Sequence, residues 1–365
     1  MDERKKYTIL TNYYRPKPGG FCKRYFRAIN ALLDRGHTIH YLAVTEYPIR
    51  HGNCHFHRFP WPQGYTENLL FWTFLHLLSP LLLLYIGVRY KITHAFAFHP
   101  TYGLFLQPVR YLKKIPLVIF YRADHIISHE IKSRPDWLVK LEIILERFAV
   151  KNTRLYCVSD ALTNTLAERT EYLKDIIIET FPNNIERIDV VHGQDKTFHL
   201  ACIGLIEKIK NHELIIRTVK ELKNEDINLD IYGCGPCLDY LKKLSGELGV
   251  SDIVKFHGWT QVENIWPKVD LLLMPSLREG APNAMLECIG AGIPVLASNI
   301  PEFRGLLPDQ QLLSNSDTTD WIREIKLILQ SRDKLPAEMV VNQNKLAQKL
   351  IFDWDAEVTR RILLQ

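Results

Sequence analysis

Short apolar runs alternate along this chain with stretches in which apolar positions recur every three or four residues. Tyr7-Thr8-Ile9-Leu10-Thr11 is β-prone, Pro16-Lys17-Pro18-Gly19-Gly20 breaks it, and Phe21, Tyr25, Ile29 and Leu32-Leu33 return at helical spacing. Gly36 stands where a glycine just past a helix end is expected, and a strand follows over 37–44. Strand and helix keep alternating through 117–120, 138–151, 155–158 and 161–169, the order of a parallel sheet with crossover helices. The rhythm restarts after residue 195, with strands expected at 198–203, 227–232, 254–256, 271–274 and 295–297 and helices at 212–222 and 238–248. Two α/β units therefore meet in the polar stretch 183–197, which contains Asn183-Asn184 and Gly193.

One segment breaks the rhythm. From Leu69 to Val88 the chain is almost uniformly apolar and long enough to span a bilayer, yet His76 and Ser79-Pro80 interrupt it. A long core helix, a helix that also touches a membrane surface, and a span all fit that run. The basic residues Arg89, Lys91, Arg110, Lys113 and Lys114 nearby suit anionic headgroups, or simply a solvated face.

Composition narrows the class. At 365 residues with 47% hydrophobic and 24% charged positions, the chain is globular and too long for one core. A net charge of +5 suits small anions or an anionic surface and is too weak to argue for nucleic acid. Seven scattered cysteines, and an N-terminus whose apolar stretch is too short for a signal peptide, lead to the expectation of a reducing, cytoplasmic setting.

The most informative stretch is 275–287, Pro-Ser-Leu-Arg-Glu-Gly-Ala-Pro-Asn-Ala-Met-Leu-Glu. It follows a buried strand, at the end where open α/β sheets bind ligands. Pro282 suits the first position of a helix ended by Gly290 or Gly292. The amides from Gly280 through Ala281 to Asn283 are then expected to be free donors for an anion or a sugar hydroxyl. Glu279 precedes that terminus, and Glu287 follows it by about a turn and a half.

Two carboxylates eight residues apart, the first followed by glycine, resemble the Glu-x7-Glu motif of family 4 retaining glycosyltransferases. Further resemblances follow in order: Gly19-Gly20, Gly36-His37, Ser159-Asp160-Ala161, Pro182-Asn183-Asn184, Gly204 with Lys210-Asn211, Gly233-Cys234-Gly235-Pro236, Phe256-His257-Gly258-Trp259 and Phe352-Asp353-Trp354. The resemblance implies the GT-B fold, α/β with two facing Rossmann-like domains and a cleft between them. An acceptor-binding domain is expected at 1–190, a donor-binding domain at 191–345, and a C-terminal segment at 346–365 crossing back to the first. It implies transfer of a sugar from a nucleotide-sugar donor to an acceptor hydroxyl with retained configuration, on a glycan or lipid-linked acceptor, without cofactor or obligatory metal. In that reading Lys210, with Lys208, neutralises the diphosphate. Glu279 and the amides from Gly280 to Asn283 hold the donor sugar, and Glu287 binds the ribose. Gly20, Gly204, Gly233, Gly235, His257 and Gly258 line the donor.

The chain departs from the pattern twice. Leu205 stands where the family has an Arg. The family's N-domain His, which lies close to the reacting centre, falls among Arg122, Asp124 and His125, of which the resemblance makes His125 the catalytic candidate. A GT-B-fold nucleotide-sugar epimerase and a non-catalytic, membrane-associated scaffold are the alternatives. Cys234-Gly235-Pro236-Cys237 is the thioredoxin tetrapeptide, but Gly233 replaces the usual Trp, and structural glycines are the simpler reading. Leu238 replaces a third glycine, against a dinucleotide fingerprint. His51, Cys54, His55 and His57 lack a fourth zinc ligand at convincing spacing.

Overall fold

The computed structural model describes residues 5–17, 19–66, 68–122, 135–171, 176–191, 197–331 and 334–364. The chain divides into two compact units, 1–182 with 353–365, and 183–352.

In the first unit the order is β1 (Thr8–Asn12), α1 (Gly20–Asp34), β2 (Thr38–Ala43), β3 (Cys54–Arg58), α2 (Leu69–Arg89), β4 (His94–Ala97), α3 (Pro100–Lys113), β5 (Leu117–Tyr121), α4 (Asp136–Val150), β6 (Arg154–Cys157), α5 (Asp160–Thr170) and β7 (Ile177–Thr180). The seven strands lie in the order β3-β2-β1-β4-β5-β6-β7, every neighbouring pair parallel. Such strands are covered on both faces, and β5 is buried at every residue, as the unbroken run Leu117-Val118-Ile119-Phe120 requires. Helix α1 buries Tyr25, Ile29, Leu32 and Leu33 and ends as its glycine predicts, with Gly36 at φ 80° and its N–H on Leu33.

The second unit continues with β8 (Phe198–Ile203), α6 (His212–Glu221), β9 (Ile227–Tyr232), α7 (Leu238–Glu247), β10 (Val254–Gly258), β11 (Leu271–Met274), α8 (Asn283–Gly290), β12 (Val295–Ser298), β13 (Leu312–Leu313), α9 (Thr318–Gln330) and α10 (Lys334–Ala347). Its sheet, β10-β9-β8-β11-β12-β13, is again wholly parallel. Both orders reverse direction beside the first strand of the unit, and that reversal opens the ligand-binding crevice of doubly wound sheets.

The final helix, α11 (Trp354–Ile362), belongs to the first unit. Asp353 caps it by accepting the Ala356 N–H at 3.0 Å, and Trp354 is fully buried with its ring on Phe181. The unit boundaries fall at 182/183 and 352/353, against the expected 190/191 and 345/346. The segment after Pro182 is tied to the second unit, for Ile185 donates to the Leu350 carbonyl and Ile188 to that of Gly290.

Helix α2 covers the apolar run and buries only one stripe, Phe71, Leu75, Ser79, Leu83 and Ile86. It is one crossover of the first sheet, packed on α3. Gly87 permits that packing, because a Cβ there would lie 2.5 Å from Val109.

Candidate donor-binding site

The site of the second unit is built on backbone first. Three strands, β8, β9 and β10, end in glycine turns that hydrogen-bond to one another. Gly204 donates to the Tyr232 carbonyl at 3.0 Å, Gly233 to Gly258 at 2.7 Å and Ile206 to Cys234 at 2.9 Å. Gly233 has φ 139°, and a Cβ there would stand 1.8 Å from the Gly204 oxygen, so no side chain fits. Gly235 is equally pressed, its Cβ position 2.3 Å from the Ile206 oxygen. These glycines thus have a structural reason apart from any ligand.

Lys210 and Glu279 meet at the crevice. The loop after β8 and the loop after β11 flank the reversal point, and Leu277 N–H bonds to the Ile209 carbonyl at 2.8 Å. Asn211, in the left-handed conformation at φ 53°, turns the chain into α6, and its amide donates to the Pro275 and Asn315 carbonyls. Lys210 Nζ then lies 2.6 Å from Glu279 Oε1, and the Ser276 hydroxyl donates to that same oxygen at 2.7 Å. The Glu279 side chain is 5% exposed and that of Lys210 20%. A carboxylate so buried needs both partners, since an unpaired one is strongly destabilising. Ser276, which sequence reasoning passed over, is therefore part of the site; its place three residues before Glu279 is the signal that was available.

Burial raises the Glu302 carboxyl above its ordinary range, an effect partly offset by backbone N–H groups and by Arg278 at 3.7 Å. Immediately behind Lys210, His212 is buried and its imidazole is pushed down to about 4, by desolvation first and by the Lys210 charge second.

The helix after the motif differs from expectation. Pro282 occupies the N-cap position and α8 starts at Asn283, so Pro282 is not its first turn. Nor is the Asn283 amide free: it donates to the Ala281 carbonyl at 2.8 Å, because Pro282 bends the chain back on itself. The Asn283 side chain accepts from buried Asn183 at 2.6 Å. Gly280 and Ala281 lie half-buried in the loop, and Glu287 half-buried on α8.

Other predicted residues scatter. Lys208 opens the short turn before Lys210 and is exposed, and Leu205 beside it is also exposed. His257 sits at an irregularity of β10, and its Nε2 meets Asp230 Oδ1 at 2.6 Å, while Asp230 Oδ2 holds His199 at 2.9 Å. That carboxylate, together with stacking on Tyr232, fixes the ring. Cys234 and Cys237 are free thiols, Cys234 exposed and Cys237 at the N-cap of α7. Among the described residues no three His, Cys, Asp or Glu side chains are arranged to share a metal ion.

In the first unit Gly20 opens α1 after Gly19, without a side-chain cap. Arg122 follows β5 directly and is buried; burial, then the neighbouring Arg24 charge, pushes its guanidinium down to about 9. Asp124 and His125 lie outside the described residues.

Two parallel-sheet Rossmann-like units of this order define the GT-B class, and solved GT-B structures superpose over nearly the whole chain. Sucrose-phosphate synthase from Thermosynechococcus elongatus matches with a TM-score of 0.82 at 14% identity, covering 98% of each chain. Anabaena HepE, solved in complex with UDP, matches with 0.74 at 15% identity, covering 99% of each. More particularly, residues 184–346 match the family model described as glycosyl transferases group 1. Protein CapJ of Staphylococcus aureus is 30% identical over 166 residues, 42% of this chain and 41% of that protein. The O-antigen chain mannosyltransferase RfbU of Salmonella typhimurium is 27% identical over 237 residues, 60% of this chain and 64% of that protein. The chain thus spans less than two thirds of the length of either curated relative.

Proposed function

We propose that the protein is a retaining glycosyltransferase of family 4 type, moving a sugar from a nucleotide-sugar to an acceptor hydroxyl in surface-polysaccharide, lipopolysaccharide or glycolipid synthesis. The observation that carries this reading is the Lys210–Glu279 pair, held at the reversal point of the second sheet beside three interlocked glycine turns. The relatives named for O-antigen synthesis and for lipopolysaccharide core synthesis, and the neighbours crystallised with UDP or UDP-glucose, support it.

The chemistry follows from charge. Breaking the bond between sugar and diphosphate drives negative charge onto phosphate, and a fixed ammonium in a partly dry site stabilises that charge more than the ground state. Lys210 has this task, and no metal is required for it in this reading. Because Glu279 holds the ammonium, the donor meets a cation already in position. Glu279 keeps a second carboxylate oxygen for the sugar hydroxyls, and Glu287 takes the ribose. The first unit binds the glycan or lipid-linked acceptor, and the work is done on the cytoplasmic side of the membrane. Leu205, exposed where the family has an Arg, leaves Lys210 with only Lys208 as a helper.

A panel of nucleotide-sugars read by thermal shift identifies the donor, because a ligand that binds only the folded state raises Tm by mass action. Anomeric analysis of the product by NMR then tests retention. An inverted product removes the retaining mechanism, donor isomerised without acceptor makes the protein an epimerase, and no shift or turnover with any donor leaves the scaffold reading.

A further inference from the structure

We infer that the outer face of the first unit built by α2, α3 and α4 is a docking surface for an anionic lipid bilayer, with a basic groove at its end that receives lipid phosphate.

The face is apolar where a soluble surface is polar. On α2, Leu70, Phe74, Leu77, Leu81, Tyr85 and Val88 return at steps of three and four, all exposed, on the side away from the buried stripe. Helix α4 repeats the device with Trp137, Leu141, Ile144 and Phe148, again exposed at helical spacing. Helix α3 packs against both. Scattered exposed apolar residues are ordinary, whereas two aligned stripes on one helical layer mark an interaction surface.

Charge identifies the occupant. Residues 68–122, which hold α2 and α3, contain six Lys or Arg, of which only Arg122 is buried, and no Asp or Glu. Helix α4 carries Asp136, Glu142 and Glu146 beside Lys140 and Arg147, and the whole chain only +5, so the cations gather on α2, α3 and the groove. As crossovers of a parallel sheet, the three helices run from the C-terminal edge of the strands to the N-terminal edge, so their C-termini share one end. At that end a groove of about 860 Å³ lies over the first residues of β5, β6 and β7. Arg110, Lys114 and Arg154 line it together with Tyr111, Leu112 and Ile177, and no acid lines it among the described residues. Tyr111 is 82% exposed at its rim. Apolar stripes with interfacial aromatics, ending in unopposed cations, match the boundary between acyl chains and anionic headgroups. A protein partner with an acidic surface would satisfy the cations and leave the stripes to water.

The test is co-sedimentation of the full chain with vesicles, which reads nothing from the donor site and so stands or falls apart from the transfer reading. Wild type is expected to bind phosphatidylglycerol-rich vesicles, to ignore pure phosphatidylcholine, and to be released by high salt. Arg110→Gln/Lys114→Gln/Arg154→Gln should weaken binding about 10²-fold, three surface charges being removed. Leu77→Gln/Leu81→Gln, at positions already exposed, should leave Tm unchanged and weaken binding on the order of 10-fold or more. Lys242→Gln/Lys243→Gln/Lys255→Gln makes the same charge change in the second unit and should matter little. Equal binding to both vesicle types, an equal loss in the second-unit variant, or no vesicle binding overturns the proposal. Resistance to high salt and carbonate overturns it in favour of a spanning helix.

Discussion

The two units share one topology and use it differently. In the second, the strand ends are drawn together by backbone bonds from Gly204 to Tyr232 and from Gly233 to Gly258, and Lys210 and Glu279 of its crevice are paired. In the first, the apolar residues overflow the core: thirteen of the large exposed hydrophobics lie on α2, α3 and α4. The family model matches inside the second unit and leaves the first unmatched, although structural neighbours cover both. A fold survives wide change in sequence, so the structural likeness reaches across both units where the family model reaches one.

If the second unit performs the chemistry, its charges should dominate the kinetics. Lys210→Ala is expected to lower kcat by about 10² to 10³-fold, more than it raises donor KM. It also strands the Glu279 carboxylate, so Tm should fall, and Lys210→Ala/Glu279→Gln should recover Tm without recovering kcat. Single-turnover kinetics with melting curves on both variants checks this; unchanged kcat would remove Lys210 from the reaction. Gly233→Ala, forced into a positive φ against the Gly204 oxygen, should destabilise the second unit by about 3 kcal/mol in urea titrations. A Tm equal to wild type would show that the turns yield.

Acid should separate the units in the other direction. His212 in the second unit takes a proton near 6.5 when unfolded but only at about 4 when folded. Its contribution is therefore complete above 6.5 and is lost as pH falls from 6.5 to 4, the loss reaching about 2 kcal/mol at pH 5. The first unit holds more such groups: burial first, then neighbouring positive charge, pushes His40 and His94 down to about 4 and lowers His37 and His57. Hydrogen exchange at about pH 7.5 and about pH 5 should show the first unit losing more protection over this window. A greater loss in the second unit would contradict it. The smallest effect concerns Cys234 and Cys237: changing both to Ser should leave transfer within a few-fold, and activity that follows the redox buffer would make the thiols functional.

How much of this the sequence disclosed depends on where the physics is local. The strands from Phe198 onward were legible because parallel strands buried on both faces read as unbroken apolar runs. Glu279, Glu287 and Lys210 stood out by motif, but the contact of Lys210 with Glu279 did not, since the partners are 69 residues apart and only the sheet reversal joins them. The Asn283 amide looked available because helix starts usually leave donors free, and the Pro282 bend, a backbone event, consumes it. Helix α2 was ambiguous for a different reason. A run apolar on every side has no polar face to say which side meets the core.

The return of the chain to the first unit has a consequence for synthesis. Trp354 sits fully buried in that unit, stacked on Phe181 with the Arg24 and Arg27 guanidinium groups over its ring. Everything from 183 to 352 leaves the ribosome before it does. The unit translated first thus waits with an open aromatic socket until the other is finished, and the second unit is the first able to close its core. Between those moments the nascent protein shows chaperones a seven-stranded sheet with one covering helix missing.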